Sequence, residues 1–524
     1  MSDNNRIFGG LSRRELLAAF GAAGLSAGLG GLLSLPGQAR ANPGAPRRGG
    51  RIRVAGISSS TADTLDPAKG ALSTDYTRHY MIYSGLTQFD EQLNPRPALA
   101  ESFASDDLTV WTFNLRRGVE FHNGKPLTAA DVVYSLLRHK DKAVASKVAS
   151  IAFNIRGVRA LTPHQVEVRL AGPNVDFPVI LATSHFLIVP EGTTDFGLAP
   201  GCGPYKLKDF VPGVRTIVTR NENYWKPGRP YLDEIELIAI TDEMARVNSL
   251  LSGDVQLVNA VDPRSIRRIE ASGDATVLEA SSGLYTDLVM RQDQFPGNNP
   301  DFVLAIKNLF DRETIKRALF RGKGMIGNDH PVPPNHKFYA SDLPVRTHDL
   351  DRAAYHLRRS GVGKGPFPLF ASPAATGSVD MAALLQLSAH KVGLNLTVNR
   401  MPPDGYWSNH WMKHPLSFGN INPRPSIDLL LSSFFMSSAP WNESGWHHPG
   451  FDQLVTAARG ERDEARRRQM YVDAQVMIHE HCGVGIPLFI SFIDGYDKRL
   501  EGLGTIPIGG LMGYSFAEYV WWNG

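Results

Sequence analysis

Apolar and polar residues alternate from Val110 onward: Trp111, Phe113 and Leu115 fall on one side and Thr112, Asn114 and Arg116 on the other, the pattern of a half-buried strand. Asn123-Gly124 follows as a tight turn, because both residues tolerate positive φ. Thr128 can then cap a helix, Asp131 can return a bond to that cap, and Val132, Val133, Leu136 and Leu137 form a buried stripe. A second region predicts a strand over Glu234–Ile240 and a helix with Met244, Val247 and Leu251 on one face. Gly253 stops that helix, and a strand covers Val255–Val258. Near the end, Asp463–Ile478 reads as a helix with Tyr471, Ala474 and Ile478 in register, followed by the apolar strand VGIPLFISF. Helices and strands mix along the whole chain with no fixed-period repeat, which predicts an α/β protein.

The apolar run from Leu16 to Leu35 has the length of a membrane span, but Ala, Gly and Ser fill its interior, so it would insert weakly. Arg13-Arg14 stands before it and Ala39-Arg40-Ala41, a small-x-small cleavage site, stands behind it. Pro36 and Gly37 break the helix ahead of the cut. This arrangement matches a twin-arginine export signal over residues 1–41, cleaved near Ala41, and predicts a protein delivered to the periplasm. No cysteine follows the run, so a lipid anchor is not expected.

Residues 1–41 hold four Arg against Asp3 and Glu15, so their removal takes the net charge from +3 to +1. A nearly neutral chain lacks the basic footprint of a nucleic-acid binder. At 524 residues the chain exceeds what one core serves, and two or three domains are expected. Cys202 and Cys482 are the only cysteines; they could bridge in an oxidising compartment, though spacing alone does not decide it.

Several long stretches carry a family likeness: PALAESF, WTFNLRRGVEFHNGKPLTAADVVYSLLR, GCGPYKLKDF, NENYWKPGRPYLDEIELIAI, ARVNSLLSGDV and FDQLVTAARGERDEARRRQMYVDAQ. In this order, from about Arg51 to the C-terminus, the chain resembles the extracytoplasmic solute-binding proteins of family 5, the peptide and nickel receptors of ABC importers. The resemblance implies a two-lobed α/β periplasmic binding protein of type II, large class, with mixed sheets and flanking helices. Lobe one would comprise residues 50–85, 198–295 and 486–524, an extra domain 86–197, and lobe two 296–485, with crossing strands near 295 and 486 as hinge. Two departures stand out. Cys202 replaces the family's usual threonine in Gly201-Cys202-Gly203-Pro204-Tyr205, and the family's Asp-Pro is absent from RPSIDLLLSSFF.

Trp407, Trp411, Trp441 and Trp446 cluster with Tyr406, Phe434 and Phe435 in a stretch rich in Gly, Pro, Asn and Ser. Aromatics without helical period in such a stretch point to a cleft wall. By resemblance, Asp428 takes the position of an aspartate that grips a ligand's amino group, with Glu443 the second choice; a buried carboxylate there needs a cationic partner. Trp407 and Trp441 would be apolar or cation–π walls, Ser432, Ser433 and Asn442 polar contacts, and Phe434 part of the wall. Tyr285 and the loop ISSSTADTLDP would face them from lobe one.

Gly322–Gly327 fits G-x-G-x-x-G but follows a helix rather than a strand, so it reads as a loop. His479-Glu480-His481-Cys482 offers metal-type side chains, but on a continuing helix they diverge. His447-His448 has no supporting spacing. No catalytic motif is visible, and neither cofactor nor metal is expected. The expected function is that of a monomeric, non-enzymatic receptor. It would capture a small polar solute, such as a peptide or amino-acid-like compound, and present it to an inner-membrane ABC permease. The alternatives are a receptor for nickel, a metal chelate or haem, and an exported hydrolase on the same scaffold.

Overall fold

One strand sets the architecture. Ala275–Met290 runs for sixteen residues, and its first part pairs antiparallel with Phe492–Asp497 of the strand Leu488–Asp497. A register shift between Ala280 and Leu284 follows. Beyond it, Leu284 and Tyr285 pair with Ile490 and Phe489, and along the strand's other edge Tyr285–Met290 pairs with Leu416–Ile421. Such a bulge bends a strand and increases its local twist, so two strands carry the chain between two cores. A computed structural model describes residues 45–524, and Pro46–Gly524 form one unit; the expected export signal lies outside the described residues.

The main sheet has twelve strands. On one side of the shared pair lie Leu257–Val258, Arg51–Gly56, Glu234–Ala239, Arg215–Arg220 and Tyr205–Val211; on the other lie Leu416–Ile421, Phe367–Ala371 and Leu396–Arg400. The first core is built on Ile52, Val54, Tyr205, Ile235 and Leu257. The far side buries Leu288, Phe302, Leu369 and Phe418 in one cluster and Tyr285, Leu431, Phe451 and Tyr471 in another. Parallel pairing of Arg51–Gly56 with Glu234–Ala239, and of Phe367–Ala371 with Leu396–Arg400, demands covering helices, as α/β sheets do. This is the two-lobed mixed α/β fold that the sequence led us to expect.

A separate four-stranded antiparallel sheet, Ala100–Ala104, Val110–Leu115, Gln165–Leu170 and Ile155–Thr162 in spatial order, has its own core of Trp111, Phe113, Val132 and Leu136. It is tied to the first core by the Arg138–Asp66 pair, two bonds of 2.9 Å. Lys147 N also donates to Ala68 O, His122 N to Gly201 O and Tyr80 Oη to Ala182 O. Gly201 permits that seam, because a Cβ there would overlap the carbonyl of Ile82.

The strand, turn and helix of 110–139 form as read: Val110–Leu115, Gly124 at φ +82° and Ala129–Leu137. Asp131 accepts from both N and Oγ1 of Thr128, from Lys125 Nζ and from Glu191 N. In the stripe, Val132 and Leu136 are buried whereas Val133 and Leu137 are only partly so. The helix Glu243–Leu251 corrects its expected face: Met244 is 50% exposed, and Arg246, Val247 and Leu250 face inward. Arg246 wins that place because its guanidinium caps the carbonyls of Ile240, Asn259 and Ala260. Glu464–His481 is a helix with Tyr471, Ala474 and Ile478 buried. Cys202 and Cys482 are free thiols in separate cores, and burial pushes them up to about 12 and about 11.

Candidate functional site

The strand Leu416–Ile421 ends in Asn422-Pro423-Arg424-Pro425, and Ser426 then caps the helix Ile427–Phe434 by accepting from Leu429 N at 3.2 Å. Two prolines fix φ on either side of Arg424 and deny the turn a further strand bond. The arginine therefore sits at the carboxyl end of a sheet strand, where α/β folds place ligands. It lines a cavity of about 400 Å³. One wall is Glu91, Gln92, Leu93 and Pro507; the other comes from the bulge Ser282-Gly283, the loop 331–337 and the turn at Arg424. A second cavity, of about 230 Å³, shares Gln92, Leu93, His336, Lys337, Ser426 and Ile427 with it, so the two make one crevice.

Arg424 is the unusual charge in this crevice. Burial pulls its pKa below the ordinary arginine range, yet a guanidinium stays protonated. Its Nη1 donates only to the carbonyls of Asn422 and Pro423, and its Cζ lies 5.0 Å from the centre of the Phe434 ring. No carboxylate forms an ion pair with it among the described residues. Tyr76 and Tyr514, from the first core's side, lie within reach of its charge. Their rings meet edge to face at 5.4 Å, and Tyr76 packs on His185 at the same distance. Neither phenol is engaged in a hydrogen bond with a described residue. An arginine with phenol hydroxyls within reach of its charge can grip a carboxylate with charge-assisted bonds.

The residues singled out from sequence distribute differently, and none of them lines the crevice's two cavities. Asp428 is buried in the first turn of the helix and both its oxygens accept from Arg459 Nε at 2.9 Å. Burial pushes it up to about 6, against the pull of Arg459. Its cation is therefore supplied by the protein. Glu443 is buried against Asp287 and takes a hydrogen bond from Trp411 Nε1. Tyr285 is fully buried on Phe489, 5.8 Å between ring centres, instead of facing out from lobe one. Phe434 lies beneath Arg424 and 5.4 Å from Trp441, which is 43% exposed. Trp407, 41% exposed, stands edge-on to Trp411. Asn442 Nδ2 serves the carbonyls of Met436 and Trp446; Ser432 Oγ turns back to Leu429 O, and Ser433 O accepts from Trp441 N. The loop ISSSTADTLDP is held by Asp63, which binds Ser60 N and Arg78.

Of the metal-type motif, His479 is buried and shared between Arg346 and Asn328 O, while Glu480 and His481 are exposed. No group of three metal-ligating side chains converges among the described residues. No helix there is long and apolar enough to cross a membrane. Arg424, Tyr76, Tyr514 and His185 went unnoticed in the sequence. Pro-Arg-Pro directly after a strand was the available signal for the first of them.

Comparison with known proteins bears on the family and the fold. The family model for bacterial extracellular solute-binding proteins, family 5 Middle, matches residues 94–443. The chain is 25% identical over 481 residues to the glutathione-binding protein GsiB of Escherichia coli K12, covering 88% of this chain and 92% of that one. Among solved structures it is similar to the periplasmic binding protein DppA of Helicobacter pylori in complex with the peptide STSA. That likeness has a TM-score of 0.77 and 23% identity, over 90% of this chain and 98% of that one. It is equally similar in fold to NikZ of Campylobacter jejuni in complex with Ni(L-His), with a TM-score of 0.77 and 21% identity over 90% and 99% of the two chains. With a family match over more than half its length and a two-lobed fold around a crevice, the chain belongs to the bacterial extracellular solute-binding proteins of family 5.

Proposed function

We propose that this protein is the periplasmic receptor of an ABC importer and that its solute carries a carboxylate, held by Arg424 from one lobe and by Tyr76 and Tyr514 from the other. A peptide or amino-acid-like compound fits this description, and relatives named for glutathione and for peptides support it. Residues 50–85, 198–295 and 486–524 make lobe one in this reading, 86–197 the added domain and 296–485 lobe two. The twin-arginine signal at 1–41 delivers the chain, which works as a monomer without catalysis and hands its solute to an inner-membrane permease. The crevice's remaining wall, with Leu93, Val332, Ile427 and Leu430, suits apolar parts of the solute.

The single supporting observation is Arg424, a desolvated cation facing the crevice without a carboxylate partner among the described residues. An amino group gripped by Asp428 is the less favoured contact, because an incoming ammonium would have to displace Arg459. Native mass spectrometry of the protein as purified identifies a co-eluting solute; calorimetry then compares that acid with its amide. Loss of a charge-assisted contact of about 1.5–3 kcal/mol corresponds to at least tenfold weaker binding of the amide. In R424Q that preference should vanish. Equal affinity of wild-type protein for acid and amide would refute the carboxylate assignment.

A further inference from the structure

Besides facing it across the crevice, the four-stranded added domain is hydrogen-bonded to the far lobe at one small patch, the junction between the helices Pro449–Arg459 and Glu464–His481. Arg467 Nη2 donates to Asp176 Oδ1 at 2.8 Å, with both side chains largely buried. Val175 N donates to Arg459 O at 3.1 Å and Arg462 Nη2 to Ser105 O at 3.1 Å. Gly460 allows the approach, since a Cβ there would come within 3.0 Å of Pro173 Cγ. Asp428, unused by the solute in our reading, fixes Arg459 from behind.

We propose that this patch is a latch: the Asp176–Arg467 pair, steadied by Asp428–Arg459, holds the two lobes shut and thereby sets how tightly solute is retained. The inference rests on the receptor reading above. Three features support it. First, the added domain is bonded to the first core at several separate places, through Arg138, Lys147, His122 and His185, but among the described residues it is hydrogen-bonded to the far lobe only here. It therefore moves with the first core, and opening must part this patch. Second, the contact is incompletely satisfied: Asp176 Oδ2 and Arg467 Nε are buried without partners, and the cavity of about 230 Å³ runs alongside, lined by Asp176, Arg462, Glu464 and Arg467. A permanent seam would be packed, whereas charges that meet only on closure regain water when they part. Third, Arg462 and Arg467 line the far-lobe side of that cavity, complementary in sign to Asp176, with Glu464 the one acid beside them. The closed fraction scales apparent affinity directly, so residues that never touch solute can change it.

Single-molecule energy transfer tests this without solute. Dyes go on cysteines introduced at Phe153 and Leu387, exposed by 58% and 63%, in the added domain and the far lobe; the native cysteines are buried. R467M or D176N should each lower the closed fraction by about 3- to 30-fold, and the double variant by no more than either single one. Raising salt should open the wild-type chain but leave R467M unmoved. Melting curves confirm that each variant is folded. An unchanged closed fraction in both single variants, or additive losses in the double, would overturn the latch while leaving the receptor intact. Absence of any second distance in the wild-type chain, both without solute and after the co-purified solute is resupplied, would overturn both.

Discussion

Asp287 and Glu443 bring two carboxyl groups together in the far lobe with almost no solvent contact. They meet over Gly419, where any Cβ would overlap both carboxylates. The two side chains hydrogen-bond to each other, and beyond that Glu443 accepts the indole N–H of Trp411. Two like charges cannot both persist there, so at least one acid is neutral in the fold. Burial pushes Asp287 up to about 7 and Glu443 well above its ordinary range. The sign follows from linkage: an acid whose folded pKa lies above the unfolded value, about 4, costs stability progressively as pH rises from there toward the folded value. Urea titrations should show D287N gaining on the wild type between pH 4.5 and 7.5; a difference independent of pH would contradict this. G419A should lose about 1–3 kcal/mol at any pH in the same titrations.

At the scale of elements, Asp131 joins the strand-turn-helix block together by accepting four donors while fully buried. D131A strands those donors and should lower stability by about 3 kcal/mol or more, whereas an exposed change such as L198A should be nearly neutral. Guanidinium unfolding distinguishes them. The same block shows why part of the fold was readable: turn, cap and stripe are relations between residues at most a few places apart. Side-chain partners obey no such limit. Asp428 looked available because Arg459 stands 31 positions away, and Tyr285 looked accessible because alternation along a strand does not say which of its two faces meets Phe489. The arginine of Asn-Pro-Arg-Pro was overlooked because charge alone does not distinguish a desolvated guanidinium from a surface one. The helix at 243–251 was turned wrongly for the same reason: Arg246, polar by composition, satisfies four carbonyl bonds inside. The two cysteines should behave as unpaired thiols, reacting with a thiol reagent only after denaturation; thiols that react in the denatured chain only once a reductant is added would contradict this.

Across the whole molecule, two strands and a bulge connect halves that otherwise meet at the crevice and at the patch around Asp176. Few covalent connections and a partly solvated interface favour hinge motion. A solute that contacts Arg424 on one side and Tyr76 and Tyr514 on the other gains its full set of bonds only when the halves approach, so binding and closure are one equilibrium. Small-angle X-ray scattering on the purified chain, first stripped of co-purified solute and then resupplied with it, tests this most directly. The account predicts a smaller radius of gyration on resupply, and no contraction in R424Q. Superimposable profiles for the stripped and resupplied wild-type protein would contradict it.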